Sequence, residues 1–261
     1  MKIPIYQIDA FTQKLFGGNP AAVCHLPHWL DDQTLQNIAI ENNLAETAYF
    51  VKKDEIYEIR WFMPHDEIDL CGHATLASAY VIFNYIDPSI TEITFSSKSG
   101  LLKAKKEDNG AITLDFPSRP PVAIEIPSQV HKALNVKPLS TYAARDLIIT
   151  LSSEKEILNA TLDLNLLKEL PYLCIIITAK GQDVDFVSRV FDANATILPE
   201  DPVTGSAHAS LVPFWAEKLN KTKLLAQQLS TRRGEIQCAI KGDRVFLSGY
   251  SVPYLIGEID I

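Results

Sequence analysis

LCGHATLASAYVIFNYI, residues 70–86, is the longest stretch of the chain without a charged side chain, and how it is read decides the fold. Its seventeen residues are slightly short for a bilayer span, and His73, Thr75, Ser78 and Asn84 break its apolar character. A helix that is apolar on nearly every face and does not cross a membrane has to be covered by protein. The stretch therefore predicts a buried helix. VTGSAHASLVP, residues 203–213, echoes LCGHATLASAY, residues 70–80, when Gly72 is laid on Gly205. Each glycine follows an aspartate, Asp69 or Asp201, at offsets that differ by one residue. Short Ala/Ser-rich helices match one another by coincidence, so the pattern leaves both a structural repeat and chance open.

Outward from this helix the period changes from helical to alternating. Residues 3–11 alternate and run into the turn-rich FGGNP, residues 16–20, after which AAVCHL resumes, which predicts a hairpin. DDQTLQNIAIEN, residues 31–42, places Leu35, Ile38 and Ala39 on one helical face with Asp31 or Asp32 as its cap. AETAYFV (45–51) and YEIRWF (57–62) read as paired strands around KKDE. Residues 92–96, 101–105 and 111–116 read as an antiparallel meander. The four prolines in residues 117–130 suggest a stiff connection, placing a boundary near 118. Beyond it the pattern gives a short helix after Pro127, strands around 141–151, a helix near 163–169, a strand over 173–178 and a helix over 206–219.

Composition narrows the function. With 261 residues, 47% of them hydrophobic, the length suits one large domain or two smaller ones with a substantial core. Twenty-four basic against 32 acidic side chains give a net charge of −8. No basic cluster appears, which argues against a nucleic-acid partner, since such binders draw their affinity from cations on phosphates. Cys24, Cys71, Cys174 and Cys238 form neither a metal-binding spacing nor a disulfide framework. A reducing cytoplasm is expected, with no export signal in the first eleven residues and no membrane segment. No GxGxxG, Walker, HExxH or GxSxG motif occurs, so neither a cofactor nor a metal is expected.

Chemistry concentrates at the two helix heads. A glycine opening a helix leaves unpaired N–H groups at the positive end of the dipole, a seat for a carboxylate, and Gly72 and Gly205 both stand there. His73 and Ser206 follow directly, and Asp201 lies nearby. Asp and Ser are also standard cap and turn residues, and a histidine beside a core helix commonly only packs. His208 suits capping or packing better than chemistry. Glu46 is a lone carboxylate among small and apolar residues at the start of a strand. Burial of such a group would suit it to take a proton from one atom and return it to another, while an exposed strand end is its ordinary alternative. Cys71, just before Gly72, is a candidate nucleophile or acid/base thiol that would need a companion.

Four segments in order, IDAFTQKLFGGNPAAV (8–23), NLAETAYF (43–50), IRWFMPHDEIDLCGHATLASA (59–79) and RVFDANATILPEDPVTGSAHASLVPFWA (189–216), make the chain resemble the PhzF-like isomerases of the phenazine-biosynthesis type, within the diaminopimelate-epimerase-like fold. The resemblance implies an α+β fold of two similar halves, each a curved, mostly antiparallel sheet rolled around a central helix, with the active-site cleft between them. Residues 1–117 would form one half, joined by a returning strand over 249–261, and residues 118–248 the other. It implies a biosynthetic isomerase with Glu46, His73 and Asp201 as catalytic groups. Gly72, Gly205, Ser206 and Cys71 would hold a small anionic substrate, with no cofactor and with a homodimer as the assembly. Racemases of the broader fold use two facing thiols. This chain has Cys71 at the first place and Thr204 at the second, which favours Glu46 while leaving two alternatives, a one-thiol racemase or epimerase built on Cys71 and a non-catalytic binding protein.

Overall fold

The computed structural model describes residues 1–194 and 199–261. Residues 195–198, part of the 189–216 segment read above, lie outside the described residues. The chain divides into two compact units, unit 1 being Met1–Phe116 with Phe246–Ile261 and unit 2 Pro117–Val245.

Unit 1 contains β1 (Lys2–Ala10), β2 (Asn19–Leu26), α1 (Asp32–Asn42), β3 (Glu46–Lys53), β4 (Ile56–Phe62), β5 (Glu67–Ile68), α2 (Gly72–Val81), β6 (Glu92–Ser97), β7 (Gly100–Lys106) and β8 (Ile112–Pro117). Unit 2 contains β9 (Val122–Ile124), α3 (Ser128–Ala133), β10 (Ser140–Ala143), β11 (Leu147–Thr150), α4 (Glu154–Asn159), α5 (Leu164–Leu167), β12 (Ile175–Lys180), β13 (Phe186–Phe191), β14 (Glu200–Asp201), α6 (Gly205–Leu219), β15 (Lys223–Gln228) and β16 (Gly234–Lys241). The chain re-enters unit 1 within β17 (Arg244–Gly249), and β18 (Ser251–Asp260) pairs antiparallel with β1.

The two units repeat one succession of pairings. In unit 1, β1–β2 is antiparallel, β2–β3 parallel, β3–β4 antiparallel, β4–β6 parallel and β6–β7 antiparallel. In unit 2, β10–β11, β11–β12, β12–β13, β13–β15 and β15–β16 follow the same alternation. Helices intervene at matching places, α1 and α4 before the third strand, α2 and α6 before the fifth. The echo between residues 70–80 and 203–213 thus marks the central helices of a true internal repeat. Both units are α+β, mostly antiparallel sheet with one buried helix, the class expected.

Local chemistry explains the individual elements. Asp31 caps α1 by accepting from the Thr34 N–H at 3.0 Å, and Leu35, Ile38 and Ala39 form its buried stripe. Asn43, at φ 48°, ends it in the left-handed conformation that asparagine tolerates. Nine of the ten residues of α2 are buried, as its uncharged sequence requires, and the helix packs on β1, β2, β3 and β18. A π-helical turn over Ile82–Ile86 closes it. Residues 117–130 are not the bare connection their prolines suggest, because Val122–Ile124 pair with β10 and spend their backbone groups in that ladder. The helix expected over 163–169 shortens to α5. Among the described residues no helix is long and apolar enough to cross a membrane.

Candidate active site

The parallel pairing of β2 with β3 brings the first residues of both strands, Asn19 and Glu46, to one end of the sheet, with Ala21 opposite Glu46. The head of α2 lies there too. Glu46 Oε2 stands 3.1 Å from His73 Nε2, with side chains 14% and 4% exposed. The two atoms are close enough for an ion pair but poorly aligned for a hydrogen bond, and among the described residues neither has any other hydrogen-bond partner. On the far side of the ring, Nδ1 lies 3.1 Å from Asn19 Nδ2 and 3.5 Å from Cys71 Sγ. Thr75 holds the turn by donating both its N–H, at 3.1 Å, and its hydroxyl, at 2.5 Å, to the Cys71 carbonyl. Unlike Asp31 at α1, Cys71 places no side-chain oxygen on this helix head, whose first amides form the positive end that favours an anion.

Burial opposes charge on His73, but Cys71 and Glu46 beside the ring outweigh it and hold the imidazole pKa well above its ordinary value. Burial pushes the Cys71 thiol up, and the Glu46 carboxylate adds to that effect. A thiol raised in this way is less ready to act as a nucleophile, although the neighbouring His73 works against the rise. Glu46, Cys71 and His73 also bring carboxylate, thiol and imidazole atoms within 4.8 Å of one another, a set of donors that a metal ion could use.

In unit 2 the equivalent place is the head of α6. The parallel pairing of β11 with β12 starts at Leu147 and Ile175, and Arg145 and Asp146 lead into the first of these strands. Arg145 donates to both carboxylate oxygens of Asp146, at 3.2 and 3.1 Å, and to Ser206 Oγ at 2.9 Å. Asp146 is 1% exposed, so the guanidinium supplies the charge and hydrogen bonds that a buried carboxylate needs. Thr204 precedes α6 without a side-chain cap to the helix. The cap position thus falls to Thr204, with Ser206 already inside the helix as its second residue. Asp201 Oδ2 instead accepts from Thr204 Oγ1 at 2.5 Å. Gln228, fully buried on β15, accepts from the Thr204 N–H at 2.8 Å and donates to the Asp201 carbonyl at 2.7 Å, clamping the loop between β14 and α6. His208 contacts the Thr204 carbonyl through Nδ1 at 2.8 Å, and burial drives its pKa down to about 4. A neutral, fully buried imidazole of this kind is a packing residue. Glu200 pairs with Arg189 through two hydrogen bonds of 2.7 and 2.9 Å.

The structure thus groups Glu46, Cys71, Gly72 and His73 in unit 1, and Asp201, Gly205 and Ser206 in unit 2. Three residues were missed in the sequence. Asn19 read as part of a turn, while Arg145 and Gln228 had no reading of their own. A repeat-aware alignment would have flagged the first two, because in each unit a residue at the entry to the second strand bonds the second residue of the central helix. A cavity of about 460 Å³ in unit 1, lined by Glu92, Lys103, Lys105, Glu107 and Asp115 among others, involves none of these residues.

The family described as "Phenazine biosynthesis-like protein" (PhzC-PhzF) matches residues 8–257. An uncharacterized isomerase of Pseudomonas aeruginosa is 42% identical over 261 residues, covering all of both chains. The crystal structure of a PhzF-family phenazine biosynthesis protein from Enterococcus faecalis superimposes with a TM-score of 0.96 at 45% identity, again over the whole of both chains. A hydroxyproline epimerase from Agrobacterium vitis, at 9% identity, aligns with 99% of this chain and 92% of its own at a TM-score of 0.67 and so shares the fold alone.

Proposed function

We propose, from the premise that the chain belongs to the phenazine biosynthesis-like (PhzC-PhzF) family, that it is a cofactor-independent isomerase moving a proton on a small carboxylate-bearing substrate. The observation that carries this reading is the buried contact of 3.1 Å between Glu46 Oε2 and His73 Nε2, two atoms with no other hydrogen-bond partner among the described residues. Buried polar atoms left unpaired cost stability, and such a cost persists where a ligand is to be met. In this mechanism Glu46 accepts a proton from a substrate carbon and returns it to another. His73 donates toward the charge that develops meanwhile, and the uncapped head of α2 holds the carboxylate through its amides. Asp201, Gly205 and Ser206 keep a proposed role in orienting the substrate, supported within unit 2 by a helix start at which Thr204 makes no side-chain cap and by the Arg145 contact, which occupies a lone pair of Ser206 and leaves its O–H to donate.

A mechanism based on Cys71 finds less support, because burial and the Glu46 carboxylate raise its thiol pKa and Thr204 stands where a second thiol would be needed. Cytoplasmic operation fits four free cysteines, and a homodimer completes the reading. The test is a thermal-shift screen of small hydroxy, keto and amino acids, each hit then being incubated in D2O. Deuterium entering a carbon position of a bound acid supports the reading; hits that bind and never exchange would make the protein a binding module.

A further inference from the structure

We propose that Asn19 is the positioning residue of the acid/base pair. Its side-chain amide takes His73 Nδ1 as its hydrogen-bond partner, so that the neutral imidazole carries its proton on Nε2, the nitrogen facing Glu46. The inference rests on the reading that His73 partners Glu46. Asn19 is completely buried, and its Nδ2 lies 3.1 Å from Nδ1. An amide N–H can only donate, so the nitrogen it meets has to be the unprotonated one, and the ring proton moves to the other. Cys71 Sγ, at 3.5 Å, is a weaker donor to the same nitrogen. When His73 gains a second proton, the same amide can turn over and offer its oxygen to the new N–H. Asparagine thus serves both charge states of the ring.

The loop that delivers Asn19 is built at a conformational cost. Between β1 and β2, Phe11 (φ 61°), Phe16 (φ 68°) and Gly18 (φ 61°) are all left-handed, although aromatic residues rarely adopt that conformation. The Phe16 N–H is fixed by Asp9 Oδ2 at 2.9 Å. A Cβ on Gly18 would fall 2.0 Å from the Ala10 carbonyl oxygen, so only glycine fits directly before Asn19. Strain that a fold over-determines in this way gathers at functional positions. The repeat supplies an independent parallel, since Arg145, at the entry to the second strand of unit 2's sheet, bonds Ser206, the second residue of α6. His73 is the second residue of α2.

The test reads the histidine ring in the protein without ligand. Long-range 1H–15N spectra of 15N-histidine-labelled protein are recorded across pH, with His73 identified by its loss in His73→Asn. The groups bearing on His73 are Glu46 from β3 and Cys71 from the turn before α2. On β2 there is Asn19 itself, and Asp9 on β1 is engaged by the Phe16 N–H. Neutral His73 in the wild type is expected to be protonated at Nε2. Asn19→Asp, which sets an acceptor with negative charge against Nδ1, is expected to raise the His73 titration midpoint by about one pH unit or more. Asn19→Leu should erode the preference for Nε2–H. Wild-type neutral His73 protonated at Nδ1 would overturn the inference even if both variants failed to fold. So would folded Asp and Leu variants whose tautomer and midpoint match the wild type. Turnover plays no part in the measurement, so its failure and the failure of the isomerase reading are separate results.

Discussion

Replacing Gln228 by leucine should loosen the loop that carries Asp201 and Thr204 into α6. Gln228 is completely buried and its amide does two jobs, accepting from the Thr204 N–H at 2.8 Å and donating to the Asp201 carbonyl at 2.7 Å, with a weaker 3.2 Å contact to Thr204 Oγ1. Leucine fills nearly the same volume, so the loss is one of partners and leaves no cavity. Each buried backbone group stranded without a partner costs about 1–3 kcal/mol. The Thr204 N–H is fully enclosed and the Asp201 carbonyl partly so, which puts the expected loss at about 2–4 kcal/mol. A chain of two units need not unfold in one step. Hydrogen exchange in the first turn of α6 is therefore the assay, read with the urea midpoint. A loss of about 2 kcal/mol corresponds to roughly 30-fold faster exchange there. Gln227→Leu is the control, because Gln227 is half-buried and makes only a 3.4 Å contact to Glu235. A Gln228→Leu cost below about 0.5 kcal/mol, the range of ordinary surface changes, would refute the clamp.

Other expectations follow from the same geometry. His208 is buried neutral with its pKa lowered to about 4 from 6.5, so the unfolded chain binds the extra proton first. The stability due to this residue is fully present above pH 6.5 and lost as pH falls toward 4, by at most about 3 kcal/mol. His208→Gln should flatten that dependence in acid-unfolding curves, and an unchanged slope would contradict it. His73 carries the opposite sign. Its raised pKa contributes stability that is fully present below pH 6.5 and declines as pH rises through the folded value, so His73→Gln should flatten the decline above pH 6.5 while leaving the slope below it unchanged, and an unaltered decline would contradict the sign. Gly234→Ala would place a Cβ 2.3 Å from Val203 Cγ2 and should cost about 1–3 kcal/mol by overpacking. Adding Val203→Ala should recover part of that cost, and a purely additive double variant would show the clash to be absent.

Much of the architecture was legible because it rests on local chemistry. The uncharged run before Asp87 could satisfy its apolar faces only by burial, and the Asp31 cap and the alternation in residues 45–51 and 57–62 each carry their own signal. The parallel pairs β2–β3 and β11–β12 were not legible, since register between strands separated by a helix is a tertiary choice. The functional consequence is direct, because those pairs set Asn19 beside His73 and Arg145 beside Ser206. Asn19 was hidden in FGGNP, whose glycines and proline announce a turn and obscure the fact that the asparagine after it is fully buried. Asp201 and Ser206 had the residue types of caps, yet Thr204 takes the cap position, with Asp201 accepting from its hydroxyl and Ser206 accepting from Arg145. Residues 117–130 looked like a linker because proline is excluded from central strands. Val122–Ile124 fall between the prolines and pair freely.

The central claim is that Glu46 relays a proton on a bound acid. It is tested by following deuterium from D2O into a carbon position of whichever small carboxylate the protein binds, with wild type and Glu46→Gln compared at equal occupancy of ligand. Incorporation by the wild type and its loss by about 100-fold or more in Glu46→Gln, with ligand-induced thermal shifts preserved, is the predicted result. Equal incorporation by both proteins would contradict it.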